Sequence, residues 1–234
     1  MKKMMMMMMM MMMMILIISC AYNPKIKTKD QMSTSSCAAV SISSMVDYEL
    51  SRKYGKEIET SPMFLYFNAR CLSNTQTKDV GCQLESCLLA IMEFGVCLES
   101  EYPFNVVNIN KSPSKELYDK ASKHKSIKIK RLDDFKDMKD SIDNHHLFVV
   151  GIVVTNDMFN EQAKNTGKLV SPMPYEFKIG YHALLIIGYS EEKHMFIGKN
   201  SYGDSWGDNG KIYIPYSFMQ KYSADSAWSI TEME

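Results

Sequence analysis

Apolar residues recur every three or four positions through the first half of the chain. Through the second half they alternate or gather in short unbroken runs. Over 33–55 (STSSCAAVSISSMVDYELSRKYG), Ala39, Ile42, Val46 and Leu50 fall on one face at helical spacing. Ser and Thr at 33–36 offer N-caps there, and Gly55 suits the stop. SPMFLYFNAR predicts a second helix, with Ser61 as N-cap and Pro62 in the first turn. CQLESCLLAIMEFG predicts a third, with Leu84, Leu88 and Ile91 on one face and Gly95 at its end. SPSKELYDKASKHK predicts a fourth, more polar and more exposed. The period then changes. SIKIKRL alternates as a half-buried strand does, DDFKDMKDSID reads as a short polar helix, and LFVVGIVV as a buried strand. Residues 155–178, with Pro172 and Pro174, read as a long loop. HALLIIGY, HMFIGKN, KIYIPY and AWSIT are four further strands.

The pattern predicts an α+β chain, with a mainly helical part at about 21–125 and a mainly β part at 126–234. A cleft between two such lobes is the usual place for a site. No internal repeat is visible. The 234 residues suit one domain of two lobes. Charge is balanced, 27 basic residues against 27 acidic, so no global field points to nucleic acid as a partner.

Residues 1–20 stand apart. Lys2 and Lys3 precede an apolar run from Met4 to Ile18, which holds 11 of the 22 methionines. The run is short for a spanning helix, which needs ~20 residues, and suits the core of a signal segment. Ser19, Cys20 and Ala21 are small enough to frame a cleavage site, and Ile17 to Cys20 loosely fits a lipoprotein box. The segment therefore predicts export or an N-terminal membrane association, against the plainer alternative of an expanded or misassigned start. Residues 21–33 read as an extended polar arm.

Six cysteines are present: Cys20, Cys37, Cys71, Cys82, Cys87 and Cys97. None forms C-x-x-C and none has a nearby His at zinc-ligand spacing, so no metal site or cofactor is expected. In an exported chain some of Cys71, Cys82, Cys87 and Cys97 can pair, with a connectivity the sequence does not give.

Cys37 opens the first predicted helix, where unpaired N–H groups and the helix dipole favour a thiolate, a strong nucleophile. Gln31 precedes it on the arm and can aim an amide N–H at the spot reached by the Cys37 backbone N–H. Two such donors make an oxyanion hole. His182 opens a strand and can serve as base and then acid. Asn200 ends the next strand and can hold one ring nitrogen of His182 while the other faces Cys37. Taken singly, each has an ordinary structural reading: a buried thiol, a solvated amide, a strand-start His and a turn Asn.

Together the four resemble the papain-like cysteine peptidases. KNSYGDSWGDNG (199–210) is close to that family's K-N-S-W-G-x-x-W-G-x-x-G, and YHALLIIGY (181–189) to its His strand. SPMFLYFNAR and EFGVCLESEYPF resemble segments of the helical lobe in short microbial and viral members. The likeness covers about 29–232. It implies a papain-like two-lobe fold with an N-terminal helical lobe and a C-terminal antiparallel β lobe. It also implies peptide-bond hydrolysis through an acyl-enzyme, with internal cleavage as the default. By resemblance Cys37 is the nucleophile, His182 the general acid/base, Asn200 the orienter and Gln31 the oxyanion donor. Gly81 falls near the glycine whose backbone pairs with substrate, and Tyr181, Tyr202 and Trp206 line or shield the site. A peptide or protein substrate and a protein inhibitor are the implied partners, and location would be secreted, lysosome-like or membrane-associated.

The departures are specific. The stretch Thr34-Ser35-Ser36-Cys37-Ala38 replaces C-G-S-C-W, so a disulfide from position 34 cannot form. Tyr202 stands where Trp usually covers the Asn–His bond. Tyr181 precedes His182 where a small or polar residue is commoner, and would narrow the leaving-group side. His145-His146 resembles the pair of a dipeptidase-type occluding loop but precedes a strand directly and reads as a turn. His194 reads as solvated. Few residues separate Cys20 from Gln31, so control by a long propeptide is not expected, and the arm itself is a candidate to lie in the cleft. The competing functions are an inactive pseudo-peptidase that binds peptides and an exopeptidase or amide-transferring relative.

Overall fold

The computed structural model describes residues 26–170 and 177–234. The first helix, α1 (Cys37–Tyr54), ends where Gly55 takes the left-handed conformation at φ 64°. The second, α2 (Pro62–Leu72), starts on Ser61, whose side chain accepts from the Phe64 N–H. The third, α3 (Leu84–Phe94), stops at Gly95, where φ is 81°. A side chain there would collide with the chain behind it, since an added Cβ would lie 1.8 Å from the Ala121 carbonyl oxygen. The polar helix α4 (Lys115–Ala121) is capped by Ser114 and packs Leu117 and Ala121 against Phe64 and Cys97.

β1 (Ile127–Leu132), α5 (Phe135–Asp143) and β2 (Phe148–Thr155) follow as the pattern predicts. The region 155–178 departs from a bare loop. It holds a 3₁₀ turn at Asn156–Phe159 and a helix, α6 (Glu161–Thr166), capped by Asn160. The Asn160 cap and Gly167 stop were readable, but too few apolar residues recur in six positions to mark a helical face. Pro172 and Pro174 lie outside the described residues.

β3 (Lys178–Ser190), β4 (Met195–Lys199) and β5 (Lys211–Pro215) come next. The strand expected to run through KIYIPY ends at Pro215, because proline lacks the N–H that continues a ladder. Pro215 instead leads into α7 (Tyr216–Tyr222), which the pattern did not predict. The last strand, β6 (Ser223–Met233), is longer than AWSIT.

The six strands form one sheet in the order β1-β6-β2-β3-β4-β5, every pair antiparallel. β2 and β3 are central and buried along most of their length, which explains their unbroken apolar sequence. The helix α1 packs on this sheet from the other lobe. The Ser41 hydroxyl donates to the Ala183 carbonyl on β3 at 3.1 Å. One cluster joins Ala39, Ile42 and Val46 of α1 with Leu65 of α2, Leu88 of α3, and Ile152 and Leu184 of the sheet. The two lobes therefore share a core, with α1 as the common element.

The described part of the arm is built into the body. Lys29 pairs with Asp47 at 2.7 Å and donates to Ser43 and to the Thr60 carbonyl. Thr28 and Lys199 both bond at the Asn209 carbonyl, and Asp30 bridges to Tyr202. This stretch straps the helical lobe to the 199–210 loop. The expectations for residues 1–20 lie outside the described residues. No helix among those described is long and apolar enough to cross a membrane.

Candidate active site

Cys37 is the first residue of α1, His182 the fifth of β3, and Asn200 follows the last residue of β4. The α1-on-β3 packing sets the cysteine against the histidine strand. A thiolate at Cys37 would accept from the backbone N–H of Ala183, the residue after His182. His182 and Asn200 are 5% and 4% exposed. Their bond, His182 Nε2 to Asn200 Oδ1, is 2.8 Å long.

That bond also fixes the tautomer. The Ser201 backbone N–H donates to the same Oδ1 at 2.8 Å, so the amide oxygen, not its nitrogen, sits there. An oxygen acceptor requires Nε2 to carry hydrogen. Nδ1 is then the basic nitrogen. Asn200 Nδ2 is buried with no hydrogen-bond partner among the described residues. The Tyr202 ring lies over the imidazole, centroids 5.0 Å apart at 29°, and Trp206 meets Tyr202 edge-on at 5.9 Å. The smaller aromatic thus still covers the Asn–His bond. Burial pushes the Tyr202 phenol up to about 12, so this cover stays neutral.

The helix terminus does not by itself make Cys37 a thiolate. Burial pushes the thiol up, outweighing the N–H groups of Ala183, Ala38 and Cys37 that pull it down. Burial likewise pulls His182 down to about 4, against the opposing effect of Asn200. Either charge alone is disfavoured in this pocket.

The cap expected at α1 is also absent. Ser36 Oγ lies 2.7 Å from Thr34 Oγ1 and caps no N–H. Its diversion leaves the first-turn N–H groups of α1 without a side-chain cap. Gln31 is 8% exposed and oriented at both ends. Ser201 Oγ donates to its Oε1 at 2.5 Å, and its Nε2 donates to the Thr34 carbonyl at 2.6 Å. The second hydrogen on Nε2 remains for a ligand. Ser201 thus spans both halves of the site, through its backbone N–H to Asn200 and its hydroxyl to Gln31.

Gly81 sits beside the turn that precedes the cysteine. A Cβ added there would lie 3.5 Å from the Ser35 carbonyl oxygen. Its N–H is taken by Tyr66 Oη at 3.0 Å, and Tyr66 donates to Asp79 at 2.5 Å. Asp79 accepts from the Ser35 N–H at 3.0 Å. Where Thr34 rules out a disulfide, Asp79 ties the 79–81 loop to the turn before Cys37 by hydrogen bonds. Arg70, fully buried, stacks on Tyr66 at 4.0 Å and donates to the carbonyls of Lys78 and Ile109, holding the same loop from behind. The motifs did not mark Asp79, Tyr66, Arg70 or Ser201. Tyr66 and Arg70 lie inside SPMFLYFNAR, where the helical pattern reads them only as core and surface.

Tyr181 is 78% exposed and, by strand alternation, faces away from His182. It is not brought to the imidazole. His145 lies in the turn before β2 with φ 62°, His146 approaches Glu49 at 3.4 Å, and His194 is exposed in the hairpin before β4. A cavity of about 1150 Å³ bounded by Leu50, Ile58, Val96 and Leu98 contains none of the four candidate residues. Among the described residues no His, Cys, Asp and Glu cluster could hold a metal ion.

The family model for papain family cysteine proteases matches residues 22–230. A peptidase C1-like protein of Acanthamoeba polyphaga mimivirus is 30% identical over 87% of this chain and 69% of its own length. Cathepsin K of Gallus gallus is 26% identical over 82% of this chain, which spans only 56% of the cathepsin. Xylellain, a cysteine protease from Xylella fastidiosa, superposes with a TM-score of 0.83 at 24% identity, over 90% of this chain and 84% of that one. With the two-lobe fold and the His182–Asn200 pair in place, the chain belongs to the papain family and is a cysteine peptidase.

Proposed function

We propose that Cys37, His182, Asn200 and Gln31 carry peptide-bond hydrolysis, and that the chain cleaves within polypeptides. The observation that carries this reading is the buried His182 Nε2–Asn200 Oδ1 bond, which leaves Nδ1 as the base on the strand packed against the Cys37 end of α1. Sulfur passes its proton to Nδ1 and attacks the substrate carbonyl carbon. The oxyanion that forms takes hydrogen bonds from the Cys37 backbone N–H and the free Nε2 hydrogen of Gln31. As the C–N bond breaks, Nδ1–H protonates the departing amine. Nδ1 then draws a proton from water, which attacks the thioester and returns the thiol. Asn200 holds the ring through both transfers, and Tyr202 with Trp206 keeps water from its bond.

Gly81 borders the peptide path beside Ser35. Internal cleavage is supported by the place of His145 and His146, which turn into β2 and toward Glu49 instead of forming a separate blocking loop. The substrate is an extended peptide or protein segment, and a protein inhibitor would occupy the same path. The run at 4–18 supports export or anchoring of the full chain, which fractionation with and without residues 1–20 would test.

The test is to treat the reduced full chain with an epoxysuccinyl inhibitor and weigh it intact, alongside Cys37→Ala, and to map products from a folded protein substrate. One adduct lost in the variant, with internal cleavage products, is the expected result. No adduct in folded, reduced protein would support the inactive peptide-binding alternative. Products trimmed only from one end would replace internal cleavage with an exopeptidase.

A further inference from the structure

Two thiols that the catalytic scheme does not use lie side by side at the edge of the site. Cys82 follows Gly81 directly, and Cys87 sits one turn into α3. Their sulfurs are 3.3 Å apart. Among the described residues no other pair of cysteine sulfurs is in hydrogen-bonding contact, and none of the five described cysteines is in a disulfide. The two differ in access: Cys82 is partly exposed and Cys87 is completely buried.

We propose that Cys82 and Cys87 are a reversible disulfide site, oxidised by small-molecule disulfides of the glutathione class. The difference in access sets the order of events. Cys82, reached from solvent, attacks one sulfur of the oxidant; the oxidant's S–S bond breaks and one thiol leaves with the Cys82 proton. Cys87 then attacks the Cys82 sulfur, gives up its proton, and expels the second oxidant thiol, which takes that proton. Two protein thiols lose two electrons and the oxidant disulfide becomes two thiols. Cys87 cannot be reached by the oxidant directly, so it acts only as the resolving thiol. A disulfide needs the sulfurs to close to about 2.0 Å. Cys87 is fixed inside the helix, so the movement falls on Cys82 and on Gly81 beside it. Gly81 is tethered on its other side through Tyr66. Resting on the peptidase reading above, closure draws the Gly81 backbone off the peptide path and weakens substrate binding, leaving the Cys37–His182 pair in place.

The site is tested in the full chain carrying Cys37→Ala, so that the nucleophile cannot react. The protein is equilibrated in oxidised and reduced glutathione at graded ratios, alkylated, and mapped by mass spectrometry. Expected is loss of two hydrogen atoms, joint protection of Cys82 and Cys87 in one linked peptide, open alkylation of Cys71, and full reversal by dithiothreitol. Adding Cys87→Ala should trap glutathione on Cys82. A stable glutathione adduct on Cys82 with Cys87 intact, or pairing of either residue elsewhere, overturns the proposal. For the regulatory step, KM is compared before and after oxidation in the chain with Cys37, since KM does not depend on how many Cys37 thiols survive. A several-fold rise that is absent in Cys82→Ser and in Cys87→Ala is expected; an unchanged KM with the disulfide formed overturns that step. No turnover in reduced protein, with the disulfide forming normally in Cys37→Ala, would fail the peptidase reading alone.

Discussion

Replacing Asn200 by Ala removes the acceptor that holds His182, and the structure sets the size of the loss. The bond is short at 2.8 Å, both residues are at most 5% exposed, and Tyr202 stacks over the ring. Water is therefore poorly placed to substitute. In the reacting state the ring is an imidazolium, so the lost bond is one to a charged group, worth about 1.5–3 kcal/mol. At about 1.4 kcal/mol per tenfold, kcat/KM should fall about 10- to 150-fold. Asn200 acts through His182 and is a positioning residue, so the pH profile should move as well. The bond favours protonated His182, hence its loss lowers the affinity of the ring for its proton. The alkaline limb of kcat/KM, where the imidazolium is lost, should shift to lower pH. The measurement is kcat/KM on a fluorogenic peptide from pH 4 to 9, normalised to sites titrated with the epoxysuccinyl inhibitor. A fall of less than threefold with an unmoved alkaline limb would refute the reasoning, because His182 would then be held by something other than Asn200.

Other expectations follow from neighbouring features. In the Cys37→Ala chain, His182 stays neutral to about 4 when folded, whereas the unfolded chain takes a proton near its ordinary 6.5. The unfolded state binds more protons between those values, so stability is full above pH 6.5 and drops by about 3 kcal/mol as pH falls to 4; denaturant melts of this chain against a second one also carrying His182→Ala should show the slope only in the first. Gly95→Ala places a Cβ on the Ala121 carbonyl at positive φ and should cost at least about 2 kcal/mol by thermal melt; an unchanged melt would mean the α3–α4 contact is looser than described. Asp79→Ala unties Ser35 and Tyr66 on an exposed loop, so stability should fall by only about 1 kcal/mol while KM rises, and a change confined to kcat would count against the clamp.

The lobes and the candidate site were legible for different reasons. Helices such as α3 declare themselves because Leu84, Leu88 and Ile91 must share a face and Gly95 must end it. β2 and β3 declare themselves because strands buried on both faces cannot alternate. His182 and Asn200 were legible only as a constellation, since neither residue is unusual where it stands. What stayed hidden depended on contacts between distant segments. Asp79 reads as one more acid in a polar loop until Ser35 and Tyr66 are seen to converge on it. Ser201 reads as motif filler until Gln31 is found beneath it. The failure of Ser36 to cap α1 was invisible because its hydroxyl is claimed by Thr34, a competition no periodicity reports. The surroundings of Cys37 stayed hidden in the same way: the helix terminus could be read from sequence, whereas the burial that opposes a thiolate there could not. α7 was missed because Pro215 both ends a strand and begins a helix, and the strand pattern ran straight through it.

The strap formed by Thr28 to Gln31 has a consequence for how the protein is made. The groups that position these residues, the Ser201 backbone and hydroxyl and the Asn209 carbonyl, lie 170 residues or more further along the chain and are synthesised correspondingly later. A nascent chain exposes its cysteine long before Ser201 is available to hold Gln31 Oε1. A fragment that stops before residue 182 holds Cys37 without His182, Asn200 or the Ser201 groups that orient Gln31. The arrangement makes the placement of Gln31 and His182 wait on the synthesis of residues 200 and 201.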